Sequence, residues 1–233
     1  MKYGPLLFLG IFFTLASSWC GLVLMPQLQF GGLEPVKLEA TGQFYPLPRS
    51  GLALEGLQVY RANGCIYCHS QQVRPADFGS DIKRGWGKRR SVSRDYIYDK
   101  PVMLGTMRTG PDLTNIGERQ TSLDWQYQHL YNPQITSKGS IMPPFPFLFE
   151  QRRIGHHPSP DALKLVGEFA PPPGYEIVPT RDAKALVAYL LSLKSDVPLP
   201  EAPIPGAAPG SGTNAPAAGT NQAAATTASA PAK

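Results

Sequence analysis

The apolar positions of this chain fall into two regimes. Residues 5–25 form an almost unbroken run, PLLFLGIFFTLASSWCGLVLM, that carries no charge. At about 1.5 Å per residue, some twenty residues of helix cross the roughly 30 Å hydrocarbon core of a bilayer. A cleaved signal peptide has a shorter apolar region, about 7–15 residues, and a cleavage site of small residues. This run ends instead in Leu24-Met25-Pro26-Gln27, and Trp19 is too bulky to precede a lipidated Cys20. It predicts an uncleaved transmembrane anchor over residues 1–26.

Beyond the anchor the pattern is helical and interrupted. Residues 27–50, with Gly31-Gly32 and several prolines, predict an extended linker. Leu54, Leu57 and Tyr60 recur at helical spacing and predict a short helix over residues 54–63. A second helix is expected over residues 122–131, ended by Asn132-Pro133. The clearest spans residues 181–194, with Thr180 as N-cap, Asp182 in the first turn, and Leu186, Tyr189, Leu190 and Leu193 on one face. From Val197 the composition falls to Ala, Pro, Gly, Thr and Ser, which offers nothing to bury, so residues 197–233 predict a disordered tail. No strand-rich region or internal repeat is visible. The fold class expected is mainly α: one N-terminal transmembrane helix, a loop-rich helical domain over residues 51–196, and the tail.

The 25 Pro and 23 Gly, with 42% hydrophobic residues, fit a small core with long loops. A net charge of +5 does not by itself point to nucleic acid, and none is expected as a partner. Lys2 is the only charge ahead of the span, while Glu34, Lys37, Glu39 and Arg49 mix signs beyond it. That bias places the N-terminus inside by a small margin.

Two of the three cysteines stand in Gly64-Cys65-Ile66-Tyr67-Cys68-His69. C-x-x-C-H is an attachment motif for haem c. At helical pitch both thiols lie on one side, where each adds to a porphyrin vinyl group, and His69 is carried under the iron. A redox dithiol and half of a zinc site compete for the same letters. The first needs a βαβ frame and the second two more ligands, and the sequence shows neither the frame nor a second cysteine pair. The position after a short helix, in an exported domain, favours haem.

A sixth iron ligand is expected later in the chain. Met1 and Met25 belong to the anchor, which leaves Met103, Met107 and Met142. Met142 stands in the stiff, apolar loop Gly139-Ser140-Ile141-Met142-Pro143-Pro144, suited to a buried thioether; Met107, before Arg108-Thr109-Gly110-Pro111, is the runner-up. Met/His ligation raises the reduction potential. In Gly110-Pro111-Asp112-Leu113 the Pro111 carbonyl is a candidate acceptor for the second ring N–H of His69, the bond that commonly fixes a metal-bound imidazole. Alone it would read as an ordinary Gly-Pro turn.

The order helix, C-x-x-C-H, G-P-x-L, M-P, final helix resembles class I cytochrome c domains, with Gly56, Tyr60, Tyr189 and Leu190 placed as in their crossed terminal helices. More specifically, GCIYCHSQQVRP, RTGPDLTNIGER, DWQYQHLYNPQ and SIMPPFPFL resemble the mono-haem subunit (subunit II) of cbb-type haem–copper cytochrome c oxidases. The resemblance covers about residues 5–150 and the final helix.

It implies one covalent haem c on Cys65 and Cys68, with His69 and Met142 on the iron. It also implies a single-pass chain of the bacterial cytoplasmic membrane, with the haem domain on the periplasmic side. Electrons would arrive from another c-type cytochrome subunit or a soluble cytochrome c, and leave for the b-haem/copper subunit that reduces oxygen in aerobic respiration. The chain itself would perform no substrate chemistry. The cytochrome subunit of a nitric oxide reductase and a tethered carrier without an enzyme are the alternatives. SIMPPFPFL and the long segment between His69 and Gly110 favour the oxidase. Gly10, Ala16, Ser17, Ser18 and Gly21 in the anchor permit close helix packing against a membrane partner.

Two features depart from the resemblance. Residues 83–94, KRGWGKRRSVSR, are unusually basic, and the low-complexity tail is not a family hallmark. The basic stretch reads either as a docking surface for an acidic donor or lipid head groups, or as a solvated or partner-covered loop. His156-His157 lack the spacing of helical metal ligands, and His129, between Tyr127 and Tyr131 on a predicted helix, reads as structural.

Overall fold

The computed structural model describes residues 3–39 and 41–204, so most of the expected tail, residues 205–233, lies outside the described residues. The apolar run is helical throughout: α1 (Gly4–Trp19), a π-helical turn (Cys20–Leu24) and α2 (Met25–Phe30) form one helix of 27 residues with mean hydropathy 2.0 and no buried side chains. That length, about 40 Å at helical rise, suffices for a single-pass membrane anchor. The π turn sits just before Pro26, which lacks an N–H and whose ring displaces the carbonyl four residues back; a widened turn accommodates both.

The remaining chain is organised around two helices far apart in sequence. In α3 (Gly51–Ala62) Gly56, Leu57 and Tyr60 are buried, and in α6 (Arg181–Ser192) Leu186, Tyr189 and Leu190 are buried. The helices cross at Gly56, where an added Cβ would stand 1.9 Å from the Ala185 carbonyl oxygen. Only glycine permits that approach, and it brings Tyr60 and Tyr189 to 5.2 Å between ring centroids. Leu54, expected on the same face, is 48% exposed, because α3 meets α6 through the narrow strip around Gly56. α6 starts as expected, with the Thr180 hydroxyl accepting from the Ala183 N–H, and ends at Ser192. Between them lie α4 (Ile116–Arg119) and α5 (Leu123–Tyr131), the latter capped by Ser122.

Among the described residues, strand is confined to two short antiparallel pairs. β1 (Val36–Lys37) pairs with β2 (Phe44–Tyr45), and β3 (Phe149–Arg153) with β4 (Tyr175–Pro179), which leads into α6. The first pair falls in the expected linker, and it is docked rather than free. Val36, Leu38 and Tyr45 pack with Val92, Val197, Leu199 and Ala202 in a small second core.

Arg89, from the basic stretch, is the polar pin of that core. Its side chain is 2% exposed and pairs with Asp95 at 2.7 Å, while its Nε donates to the Val197 carbonyl at 2.6 Å. Arg90 and Arg94 both reach Glu201, and the Lys88 N–H donates to Asp196. Much of the stretch's positive charge is thus spent holding the chain's own residues 196–201. Packing accordingly continues past Val197, with Leu199 and Ala202 each only 3% exposed.

Candidate haem site

α3 ends at Ala62, and Gly64 turns the chain in the left-handed region at φ +69°. The cysteine pair then sits on a 3-10 turn, Cys65–Tyr67, rather than on the helix expected to run into it. The His69 N–H donates to the Cys65 carbonyl at 3.0 Å, which folds the motif back on itself. Cys65, Cys68, His69 and Met142 all line one cavity of about 600 Å³, a size suited to a cofactor. Its walls are largely apolar, with Leu113, Ile116, Leu130, Leu186 and Leu190 among them. Of the three methionines considered, Met103 is buried in the core, Met107 is 56% exposed, and only Met142 lines the cavity.

The imidazole of His69 is held from behind. Its Nδ1 lies 2.7 Å from the Pro111 carbonyl oxygen. A carbonyl only accepts, so Nδ1 carries the hydrogen and the neutral ring keeps its Nε2 lone pair free. Burial lowers the His69 pKa and the bond to Pro111 opposes that shift, while burial pushes the Cys65 thiol up to about 11. Gly110 makes the approach possible: a Cβ there would come within 2.2 Å of the His69 Cε1.

Asp112, with no exposed surface, fixes the Pro111 segment. One carboxylate oxygen accepts from the Ser70 hydroxyl at 2.6 Å and the Gln72 N–H at 2.8 Å, and the other from the Thr114 N–H at 2.9 Å. Arg108 joins the same wall through Ser70 and an ion pair with Asp81 at 2.7 Å.

Arg119, Trp125 and His129 also line this cavity, with no sequence motif that marks them as part of it. His129 does have the structural role expected of it. It stacks on Trp125 at 4.6 Å and its Nδ1 lies 2.6 Å from the Thr136 hydroxyl. The spacing of Trp125 and His129, one helical turn apart, was the available signal for that pair; nothing local marked them as cavity residues. His156 and His157 are exposed.

The donor set suits the group the motif calls for: two thiols at one cavity, an imidazole with one nitrogen fixed and the other free, and a thioether on the same walls. A family model described as "Cytochrome C oxidase, mono-heme subunit/FixO" matches residues 8–172, well over half of the chain. A search of curated proteins finds no match. The family match sets aside the nitric oxide reductase subunit and the free-standing carrier. The chain belongs to the FixO family, the mono-haem subunits of cbb-type cytochrome c oxidase, and serves that complex in electron transfer with one haem c.

Proposed function

We propose that Cys65 and Cys68 would hold the haem through thioether bonds, that His69 and Met142 would ligate its iron, and that the Pro111 carbonyl orients His69. The observation that carries this reading is the single cavity lined by both thiols, His69 and Met142, with His69 already bonded to Pro111 at 2.7 Å. In attachment each thiol S–H adds across a vinyl double bond, so sulfur bonds to one carbon and the hydrogen goes to the other. When bound, the haem accepts and releases one electron at a time. The chain's own residues do the rest. Neutral His69 presents its Nε2 lone pair, the Nδ1–H bond to Pro111 enriches that lone pair, and the Met142 thioether favours the reduced state. Apolar walls keep water from the site.

In the same reading the domain over residues 51–196 stands on the periplasmic side of a bacterial cytoplasmic membrane, behind the anchor of residues 1–26 and the linker of residues 27–50. Another c-type cytochrome, a neighbouring subunit or a soluble protein, supplies electrons. The b-haem/copper subunit receives them and reduces oxygen. The complex purified through this chain in mild detergent should contain b-haem and copper. Haem should stay on this chain in a denaturing gel, and a Cys65→Ala/Cys68→Ala variant should lose it. Covalent haem persisting in that variant would place the attachment elsewhere.

A further inference from the structure

The cavity has an uneven charge. No aspartate or glutamate lines it among the described residues, whereas Arg119 and Lys138 do. Lys138 is exposed and solvated, but Arg119 is half-buried at the end of α4. One guanidinium nitrogen, Nη2, donates to the Asp112 carbonyl oxygen. Among the described residues no carboxylate lies within ion-pair distance of Arg119, and its buried Nε has no hydrogen-bond partner. Burial pushes its pKa below the ordinary arginine value, and the more distant charges of Asp112 and Asp196 only partly oppose that shift. Its charge also reaches His69, whose protonation it disfavours.

A half-buried cation with no paired anion is costly, and the cost is relieved when an anion binds it directly. Haem brings two carboxylates on its propionate arms. We infer that Arg119 is the receptor for a haem propionate, so that its charge helps set the reduction potential. The inference rests on the haem reading above. Trp125 also lines the cavity, and its indole N–H makes no hydrogen bond among the described residues. The site therefore offers both a charge and a neutral donor to the propionate side of the haem. The contact to Asp112 gives Arg119 a second effect: it ties the propionate receptor to the carbonyl next to Pro111, and so to the segment that holds His69.

The oxidised haem carries one more positive charge than the reduced one, so a nearby cation favours reduction. Arg119→Gln in the purified complex should lower the midpoint potential of this c-haem. The oxidised-to-reduced ratio at fixed ambient potential should rise on the order of tenfold, about 59 mV for one electron. The propionate bending bands in the resonance Raman spectrum should shift with it. Arg119→Lys, which keeps the charge, should retain most of the potential. Potential and propionate bands unchanged in Arg119→Gln would overturn the inference. So would equal potential shifts in both variants with unmoved propionate bands, since that pattern marks a brace for Asp112 and nothing more. A wild-type chain without covalent haem would instead sink the reading beneath it, and the gel assay separates the two failures.

Discussion

The two sides of the cavity that carry the proposed iron ligands are held by different physics. The wall carrying His69 is built around a buried charge: Asp112 accepts three hydrogen bonds, and Gly110 and Leu113 donate back to the Cys68 and Ser70 carbonyls at 2.9 and 2.8 Å. The loop carrying Met142 has no such centre. The Ser140 N–H donates to the Ser137 carbonyl, the Gly139 N–H to the Gln134 side chain, and the Met142 N–H to the Ser140 hydroxyl at a long 3.3 Å. Ile141 next to it is 80% exposed, and Pro143 and Pro144 supply stiffness in place of N–H donors. The wall with His69 is therefore part of the protein's folding core. The other is a braced surface loop, in which Met142 can change at modest cost to the rest.

The largest effect should come from removing the charge at the centre of the stiff wall. Asp112→Ala strands the Ser70 hydroxyl, the Gln72 and Thr114 N–H groups and part of the Arg108 charge around a position with no exposed surface. Losing one partner of such a buried network costs about 3–5 kcal/mol, and Asp112→Asn, which keeps an acceptor, should cost less. Thermal and denaturant unfolding of the full chain in detergent measure both. A wild-type melting point for Asp112→Ala would mean that the His69 wall is not held by this carboxylate.

Met142→Ala should give the opposite profile. On the proposed ligation, the reduction potential falls and the optical signature of a thioether-bound iron disappears, while covalent haem stays on the chain. The loop is locally braced, so stability should drop by only about 1–2 kcal/mol. A potential and spectrum like wild type would remove Met142 from the iron. An unfolding shift as large as that of Asp112→Ala would erase the distinction between the two walls.

The same division marks what the sequence revealed. α6 was legible because its cap, its first-turn acid and its apolar face are all local, and the C-x-x-C-H turn was legible because its chemistry lies in five consecutive residues. Pro111 and Met142 came from loop chemistry and resemblance, and the structure brings both to the cavity. Leu54 shares the helical spacing of Leu57 and Tyr60 yet stays 48% exposed, because a periodic pattern does not tell how narrow a helix crossing is; Gly56 decides that through a contact with Ala185. The docking of Val36, Leu38 and Tyr45 against Val197, Leu199 and Ala202 was hidden for a different reason. Their burial depends on Arg89 and Asp95, which lie far along the chain and read as surface charges until the fold brings them together. Arg119 and His129 were invisible as cavity residues on the same ground.

His129 provides the finest test of the comparison, because it belongs to the Met142 side. Burial, by far the main cause, pushes its pKa down to about 4. In the unfolded chain the value returns to about 6.5. Between those values the unfolded chain binds a proton that the folded chain refuses. Stability from this group is therefore complete above pH 6.5 and is lost as pH falls towards 4. Partial exposure of His129 reduces the effect, so the loss at pH 5 should be about 1 kcal/mol. His129→Asn keeps a partner for Thr136 but cannot take the proton, and should flatten the slope of melting temperature against pH in this window. The charge would appear beside Thr136 and Trp125, on the approach to the Met142 loop, so the thioether signature should weaken in acid before the covalent haem wall loosens. A slope that survives in His129→Asn would assign the acid sensitivity to other groups, and simultaneous loss of both signals would show that the two walls unfold as one.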